Sequence, residues 1–241
     1  MANVKQGDFI RIEYTGRKAS DGKVFDTTDE ALARKEGIYS ENTRYGPSLV
    51  IVGKTPILKG IDEAIEEMGV GDKRELELGP EKAFGKRNPK LIHVLSMAEF
   101  KRHKIQPYPG LVLDLDGRQA LVKSVTSGRV MIDMNHPLAG EKVNYELRVV
   151  DSIDSTENKV RALLDANGMS EADVSVKAGK VELSFPEKVE KSAKLFIEGT
   201  GFTKALKELI PEVKDVKVKE SGPEGKNEEK PKEKKKPGSK K

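Results

Sequence analysis

DGKVFDTT, residues 21–28, reads as a tight turn followed by a short strand. Asp21 and Gly22 are turn formers, and Val24 and Phe25 suit a pleated, half-buried segment. A lone acid, Asp26, follows the aromatic directly. Just upstream, DFIRIEYTG alternates Ile10, Ile12 and Tyr14 with Arg11, Glu13 and Thr15. That period of two predicts a strand with one buried face, so Tyr14 points inward. Downstream, Thr28 is placed to cap a short helix over DEALARKE, which Gly37 stops.

Working outward, SLVIVG reads as a buried strand. ILKGIDEAIEEMGVG reads as a helix with Ile61, Ala64, Ile65 and Met68 on one face, closed by Gly69. DKRELEL is the next strand, with Leu76 and Leu78 inward. The pattern breaks at GPEKAFGKRNP, a loop punctuated by Gly and Pro that carries one aromatic, Phe84. Alternation of the same kind returns only at KVNYELRVV, where Val143, Tyr145, Leu147 and Val149 share a face. A sheet is interrupted and then resumed.

The interruption, residues 88–137, has signals of its own. Ser96 to Glu99 form a capping box before a short helix through Phe100. LVLDLDGRQALVKSVTSGRVMIDMN predicts three apolar-rich strands with turns at Asp116-Gly117 and Ser127-Gly128. After Ile153 a third unit begins. Asp154 and Glu157 offer a second capping box, with Val160, Leu163 and Leu164 as an apolar face and Gly168 as a stop. A strand, turn and strand follow, then a helix loosened at Gly199 and Gly201, then a last strand, the order of a small α+β module. The expected division is 1–87 and 138–154 for the interrupted sheet, 88–137 for the insert, 155–219 for the C-terminal module and 220–241 for a Lys/Glu-rich tail.

A chain of 241 residues with 35% charged and 36% hydrophobic residues is expected to be globular and to hold a sizeable core. No apolar run approaches the roughly 18 residues of a membrane span. MANVKQGDF lacks the basic and then apolar pattern of a secretory leader, so a cytoplasmic location is expected. Without cysteine there are no disulfides, thiolate nucleophiles or Cys-type zinc sites. The tail KNEEKPKEKKKPGSKK reads as a solubilising segment or as a basic arm for RNA or ribosomes, its field diluted by Glu228, Glu229 and Glu233.

The remaining chemistry is sparse. His93, His103 and His136 have no second His at helical ligand spacing, so no metal site is expected. His136, in DMNHPLAG, is read as hydrogen-bonded to backbone, with a role as a base as the alternative. GVGDK ends a helix, so it cannot present N-terminal amides to a phosphate. The helix-strand-strand-helix order near GTGF is faintly similar to a nucleic-acid-binding KH unit, but few cations lie near those glycines. What stands out is an apolar cluster of Tyr14, Phe25, Ile57, Leu58, Ile61, Phe84 and Tyr145, with Asp26 beside it. Plain core accounts for Ile57, Leu58 and Ile61. It accounts less well for Phe84, which sits in a glycine-flanked loop, and for Asp26.

YTG at Tyr14 to Gly16, DGKVFDTT, ILKGIDEAIEEMGVGDK and EKAFGKR, in that order, resemble FKBP-type peptidyl-prolyl cis-trans isomerases. The insert and DMNHPLAGEKVNYELRVV resemble the SlyD-like branch, in which a chaperone domain interrupts the flap. With the DEALARKEGIY loop and a C-terminal module, the layout is similar to long-type archaeal members. The resemblance implies an α+β fold: an antiparallel β-sheet wrapped on a short helix, with a β-rich flap insert and a C-terminal α+β module. It implies a catalytic pocket of Tyr14, Phe25, Asp26, Ile57, Leu58, Ile61, Phe84 and Tyr145, with no cofactor and no metal. Ile61 stands where many relatives place a tryptophan, and Phe84 where many have a tyrosine. The His- and Cys-rich tail of bacterial SlyD is absent.

The same resemblance implies that the insert captures unfolded or proline-containing chains, and Leu91, Ile92, Val94, Leu95, Met97, Phe100 and Ile105 are the candidate client-binding residues. Their other reading is the insert's own core. Val189, Ala193, Phe196, Ile197, Leu206 and Leu209 are many apolar positions for so small a module, which suggests a homodimer through it. The competing class is a non-catalytic holdase or a ribosome- or RNA-associated binding protein.

Overall fold

The computed structural model describes residues 3–115 and 117–219. The expected turn residue Asp116 and the tail 220–241 lie outside the described residues. The chain divides into two compact units, residues 1–153 and 154–241. In chain order the first holds β1 (Phe9–Lys18), β2 (Val24–Thr27), α1 (Glu30–Lys35), β3 (Ser48–Ile51), α2 (Lys59–Ile65) and β4 (Lys73–Leu78). There follow β5 (Ile92–Ser96), α3 (Met97–Arg102), β6 (Val112–Leu115), β7 (Arg118–Val125), β8 (Arg129–Asp133) and β9 (Val143–Ile153). The second unit holds α4 (Thr156–Ala166), β10 (Asp173–Lys177), β11 (Lys180–Ser184), α5 (Glu187–Gly199), α6 (Phe202–Leu209) and β12 (Asp215–Val218).

The interrupted sheet is antiparallel, in the order β2-β1-β9-β4. β9 pairs with β1 along its whole length, so β3 and β2 share the other edge of β1, one on each half. Alternate residues Val143, Tyr145, Leu147 and Val149 of β9 are buried and meet Ile10, Ile12, Ile61, Ile65 and Met68 in one core. Ile65 is fully enclosed, which contributes about 2 kcal/mol. α2 lies unusually close to β4: a Cβ on Gly60 would come within 2.4 Å of Leu78 Cδ2. Only glycine allows that approach.

Local details depart from the sequence reading. Asp29, not Thr28, caps α1, its side chain accepting from Leu32 N–H. Thr28 instead grips Tyr14, whose N–H donates to Thr28 Oγ1 at 3.0 Å and whose C=O accepts from Thr28 N–H at 3.0 Å. α2 ends at Ile65, before Gly69, and Gly71 with φ +93° makes the reversal, while Met68 stays buried. Its first turn carries only Leu58 as N-cap, with no side-chain hydrogen bond, because that position faces the apolar cluster.

The insert is a four-stranded antiparallel sheet in the order β5-β8-β7-β6. Three strands were expected, and the fourth, β5, falls on a segment whose irregular apolar spacing has no clear period. Ser96 caps α3 through Ala98 N–H. α3 places Phe100 against Leu113, Ala120, Val122, Val130 and Ile132, forming a separate small core on one face of this sheet.

In the second unit β11 pairs antiparallel with β10 and parallel with β12. Ser155, not Asp154, caps α4, accepting from Asn158 N–H. The expected single loosened helix is two helices, broken where Gly201 takes φ +74°. Of the six apolar positions noted in the sequence, Ala193, Ile197 and Leu206 are buried within the unit, while Val189, Phe196 and Leu209 are half-buried. Leu195, outside that set, is 75% exposed. Among the described residues no helix is long and apolar enough to cross a membrane.

Candidate functional site

Gly16 of β1 sits opposite Asp26 on β2 and opposite Tyr145 on β9. This register places Tyr14, Phe25 and Tyr145 on three neighbouring strands with their rings in contact. Ile57 and Leu58 enter from the start of α2, Ile61 from its first turn, and Phe84 from the loop after β4. All seven apolar members of the sequence cluster therefore pack together. Tyr145 and Ile61 form the buried floor, 3% and 6% exposed. Tyr14, Phe25, Ile57, Leu58 and Phe84 are half-buried and leave surface open to solvent.

The rings meet by their edges. Phe25 contacts Phe84 at 5.6 Å between centroids and 78°, and Tyr145 at 5.8 Å and 82°. Tyr14 and Tyr145 lie 6.1 Å apart, tilted by 54°. Edge-to-face pairs leave ring faces free to receive an apolar group. At the rim the Tyr14 hydroxyl donates to the Asp26 carboxylate. Desolvation, with the Asp26 charge adding to it, pushes the Tyr14 pKa up to about 12, so the phenol keeps its proton and remains a donor. Tyr145 is pushed up as well, chiefly by burial. Asp26 is raised above the ordinary aspartate value by desolvation, while the bonds from Tyr14 and the Thr27 backbone pull it down. Its surface remains exposed on one side.

A further ring belongs to the wall. His136 stacks on Phe84 with centroids 4.6 Å apart and planes 3° from parallel. The stretch that carries it is tied to the outgoing strand of chain. Asn135 accepts from Asn88 N–H at 2.8 Å and donates back to Asn88 C=O at 3.0 Å and to Asp133 Oδ1 at 2.7 Å. Asp133 is 4% exposed and pairs with Arg87. Gly140 N–H donates to Gly85 C=O at 2.9 Å. The sequence reading of His136 as a backbone partner holds, since Leu138 N–H donates to its Nδ1 at 3.2 Å. Its contact with Phe84 was not foreseen.

The insert candidates divide into three groups. Phe100 is core, and Leu95 and Met97 pack against that core. Leu91 and Ile92 are half-buried, whereas Val94 and Ile105 are exposed. Val94 pairs across strands with Met131, and Val112 with Leu121. All four lie on the face opposite the small core and are exposed, Val94 and Val112 by 56% each. Tyr108, 58% exposed, also faces solvent. Alternation in β6, β7 and β8 carries this signal: the core face is apolar at Leu113, Ala120, Val122, Val130 and Ile132, whereas Val112, Leu121 and Met131 share the outer face with Asp114, Gln119 and Arg129.

The profile of FKBP-type peptidyl-prolyl cis-trans isomerases matches residues 1–101, and one described as FKBP26, IF domain, matches residues 93–138. A short-type peptidyl-prolyl cis-trans isomerase of Methanocaldococcus jannaschii is 32% identical over 148 residues, 61% of this chain and 93% of the relative. An FKBP-type 16 kDa peptidyl-prolyl cis-trans isomerase of Escherichia coli is 29% identical over 127 residues, 50% of this chain and 85% of the relative. An FKBP-type isomerase named SlyD from Helicobacter pylori is 24% identical over 165 residues, 67% of this chain and 80% of the relative. With the M. jannaschii enzyme matched over nearly its whole length by the segment that builds the cleft, this chain belongs to the FKBP-type peptidyl-prolyl cis-trans isomerase family.

Proposed function

We propose that the cleft around Phe25 turns X-Pro bonds of unfolded and partly folded proteins, and that the exposed face of the insert holds those chains beside it. The observation that carries the first half is the edge-to-face set of Phe25, Phe84 and Tyr145 over Ile61, with the Tyr14–Asp26 bond at its rim. Rotation about a prolyl bond must overcome amide resonance, a barrier of about 18–20 kcal/mol, and no bond breaks. No nucleophile is needed. The twisted amide has lost conjugation and is less polar at its carbonyl, so a dry aromatic cleft binds it better than the planar ground state. Phe25, Ile57, Leu58, Ile61, Phe84 and Tyr145 hold the proline ring. Tyr14 and Asp26 fix each other and orient the substrate carbonyl.

The second half rests on Val94 with Met131 and Leu121 with Val112, two exposed apolar cross-strand pairs on the solvent face of a folded sheet, Met131 standing opposite Ser124 and Leu121 opposite Asp133 where β7 meets β8. A cytoplasmic location and a basic tail able to approach ribosomes complete the reading. Self-association through the C-terminal module rests on the half-buried Val189, Phe196 and Leu209 with the exposed Leu195, and a monomeric mass in solution at micromolar concentration removes it.

The test is exchange NMR or protease-coupled turnover of a tetrapeptide with one X-Pro bond. Wild type should turn it over, and a folded Asp26→Ala variant should do so at least tenfold more slowly, about 1.4 kcal/mol. No turnover by wild type would return the chain to the competing class of non-catalytic holdase or RNA-associated protein.

A further inference from the structure

We propose that His136 is a positioning residue of the prolyl cleft: its imidazole, stacked on Phe84, holds that ring in the wall. The stretch by which the chain returns from the insert is then part of the pocket itself. The proposal rests on the isomerase reading above and deepens it.

Phe84 needs such a partner. It lies outside the sheet, between a short 3-10 turn at Pro80–Lys82 and Gly85, whose φ is +78°. No strand ladder fixes its backbone. Phe25 meets it only edge-on, which leaves ring faces that a neighbour must cover if the ring is to keep one orientation. His136 covers one of them at 4.6 Å and 3°.

His136 is itself well anchored. Leu138 N–H donates to its Nδ1, so the neutral ring carries its proton on Nε2 and its χ angles are restrained. Leu138 and Ala139, two and three residues on, are buried, and Gly140 N–H reaches Gly85 C=O, one residue from Phe84. Before it, Asn135 bridges Asn88 and the buried Asp133. The outgoing and returning strands of the insert are thus locked to each other beside Phe84. A ring on the returning strand adds a rigid surface where the outgoing loop has none.

The experiment separates the two jobs of the imidazole in the full chain. In His136→Asn the side-chain oxygen can still accept from Leu138 N–H, but the ring is gone. His136→Phe keeps a ring and loses the acceptor. Turnover of the X-Pro tetrapeptide is measured together with the Phe84 ring-proton shifts, which sense a stacked neighbour directly. His136→Asn should lower kcat/KM roughly two- to tenfold and move the Phe84 resonances. His136→Phe should restore most of that loss. In a Phe84→Ala background, His136→Asn should cost nothing further, since the two residues act as a unit.

An equal loss in His136→Phe and His136→Asn would overturn the proposal, as would an undiminished His136→Asn loss when Phe84 is already alanine. Unchanged turnover and unchanged Phe84 shifts in His136→Asn would also overturn it. If wild type shows no turnover, the isomerase reading fails by itself, and the Phe84 shifts still decide whether His136 holds the ring.

Discussion

Replacing Gly16 by alanine tests the packing of the cleft from behind. Gly16 is buried in β1, and its backbone is not in the left-handed region. By strand preference alone, alanine there should therefore stabilise the fold by about 0.5–1 kcal/mol. The structure argues for the opposite sign. A Cβ at Gly16 would lie 2.8 Å from Phe25 Cζ and 2.9 Å from Tyr145 Cε1 and Cζ, where ordinary contacts begin near 3.4 Å. Each ring must retreat by roughly half an ångström, into Phe84 on one side and the closed floor on the other. Overpacking of this kind costs about 1–3 kcal/mol, which outweighs the strand gain. Urea denaturation should show Gly16→Ala less stable than wild type by about 1–2 kcal/mol. Tetrapeptide turnover should fall about tenfold or more, because the two displaced rings line the cleft. A variant as stable as wild type with full turnover would refute the packing argument and free Gly16 from any role in the site.

Two further expectations follow from the electrostatics and the insert. The folded Asp26 pKa is raised, so the folded state binds its proton more tightly than the unfolded chain does. The stabilisation from protonation is present below the ordinary aspartate range and is lost as pH rises through the raised folded value. Wild type should therefore lose Tm relative to Asp26→Asn as pH rises from about 3 to 7, and a constant difference by calorimetry would contradict the desolvation account. Replacing residues 89–134 with a short Gly-containing link, while keeping Asn88, Asn135 and His136, should lower tetrapeptide turnover modestly. Refolding of a proline-limited protein should fall far more, since tethering a client raises the local concentration of its prolines. Equal losses in a folded variant would mean that the insert supports the cleft without capturing chains.

Local pattern was enough for the strands of the main sheet. Ile10, Ile12, Val143, Tyr145, Leu147 and Val149 alternate with polar residues, and a period of two assigns each to the covered face without knowledge of its partner. The family resemblance carried by YTG, DGKVFDTT and EKAFGKR was what collected the candidate pocket residues, which pack in one cluster. Caps were less legible. Thr28 and Asp29 are both good N-caps, and only the bond from Tyr14 N–H to Thr28 decides which one serves the helix.

Tertiary contacts decided the rest. Phe84 and His136 lie in irregular stretches before β5 and after β8, where neither period nor propensity constrains a side chain, and their stack lies beside the ties among Asn88, Asp133 and Asn135. The insert's strands set an apolar face against a mixed one, where Val112, Leu121 and Met131 stand beside Asp114, Gln119 and Arg129, so the period separated the two faces but not what covers either. Phe100 on α3 settles that by covering one face and leaving Val94, Val112, Leu121 and Met131 on the other. A residue's period tells which neighbours in the chain share its side of a strand; which side is buried depends on what packs against it, and that is a property of the fold.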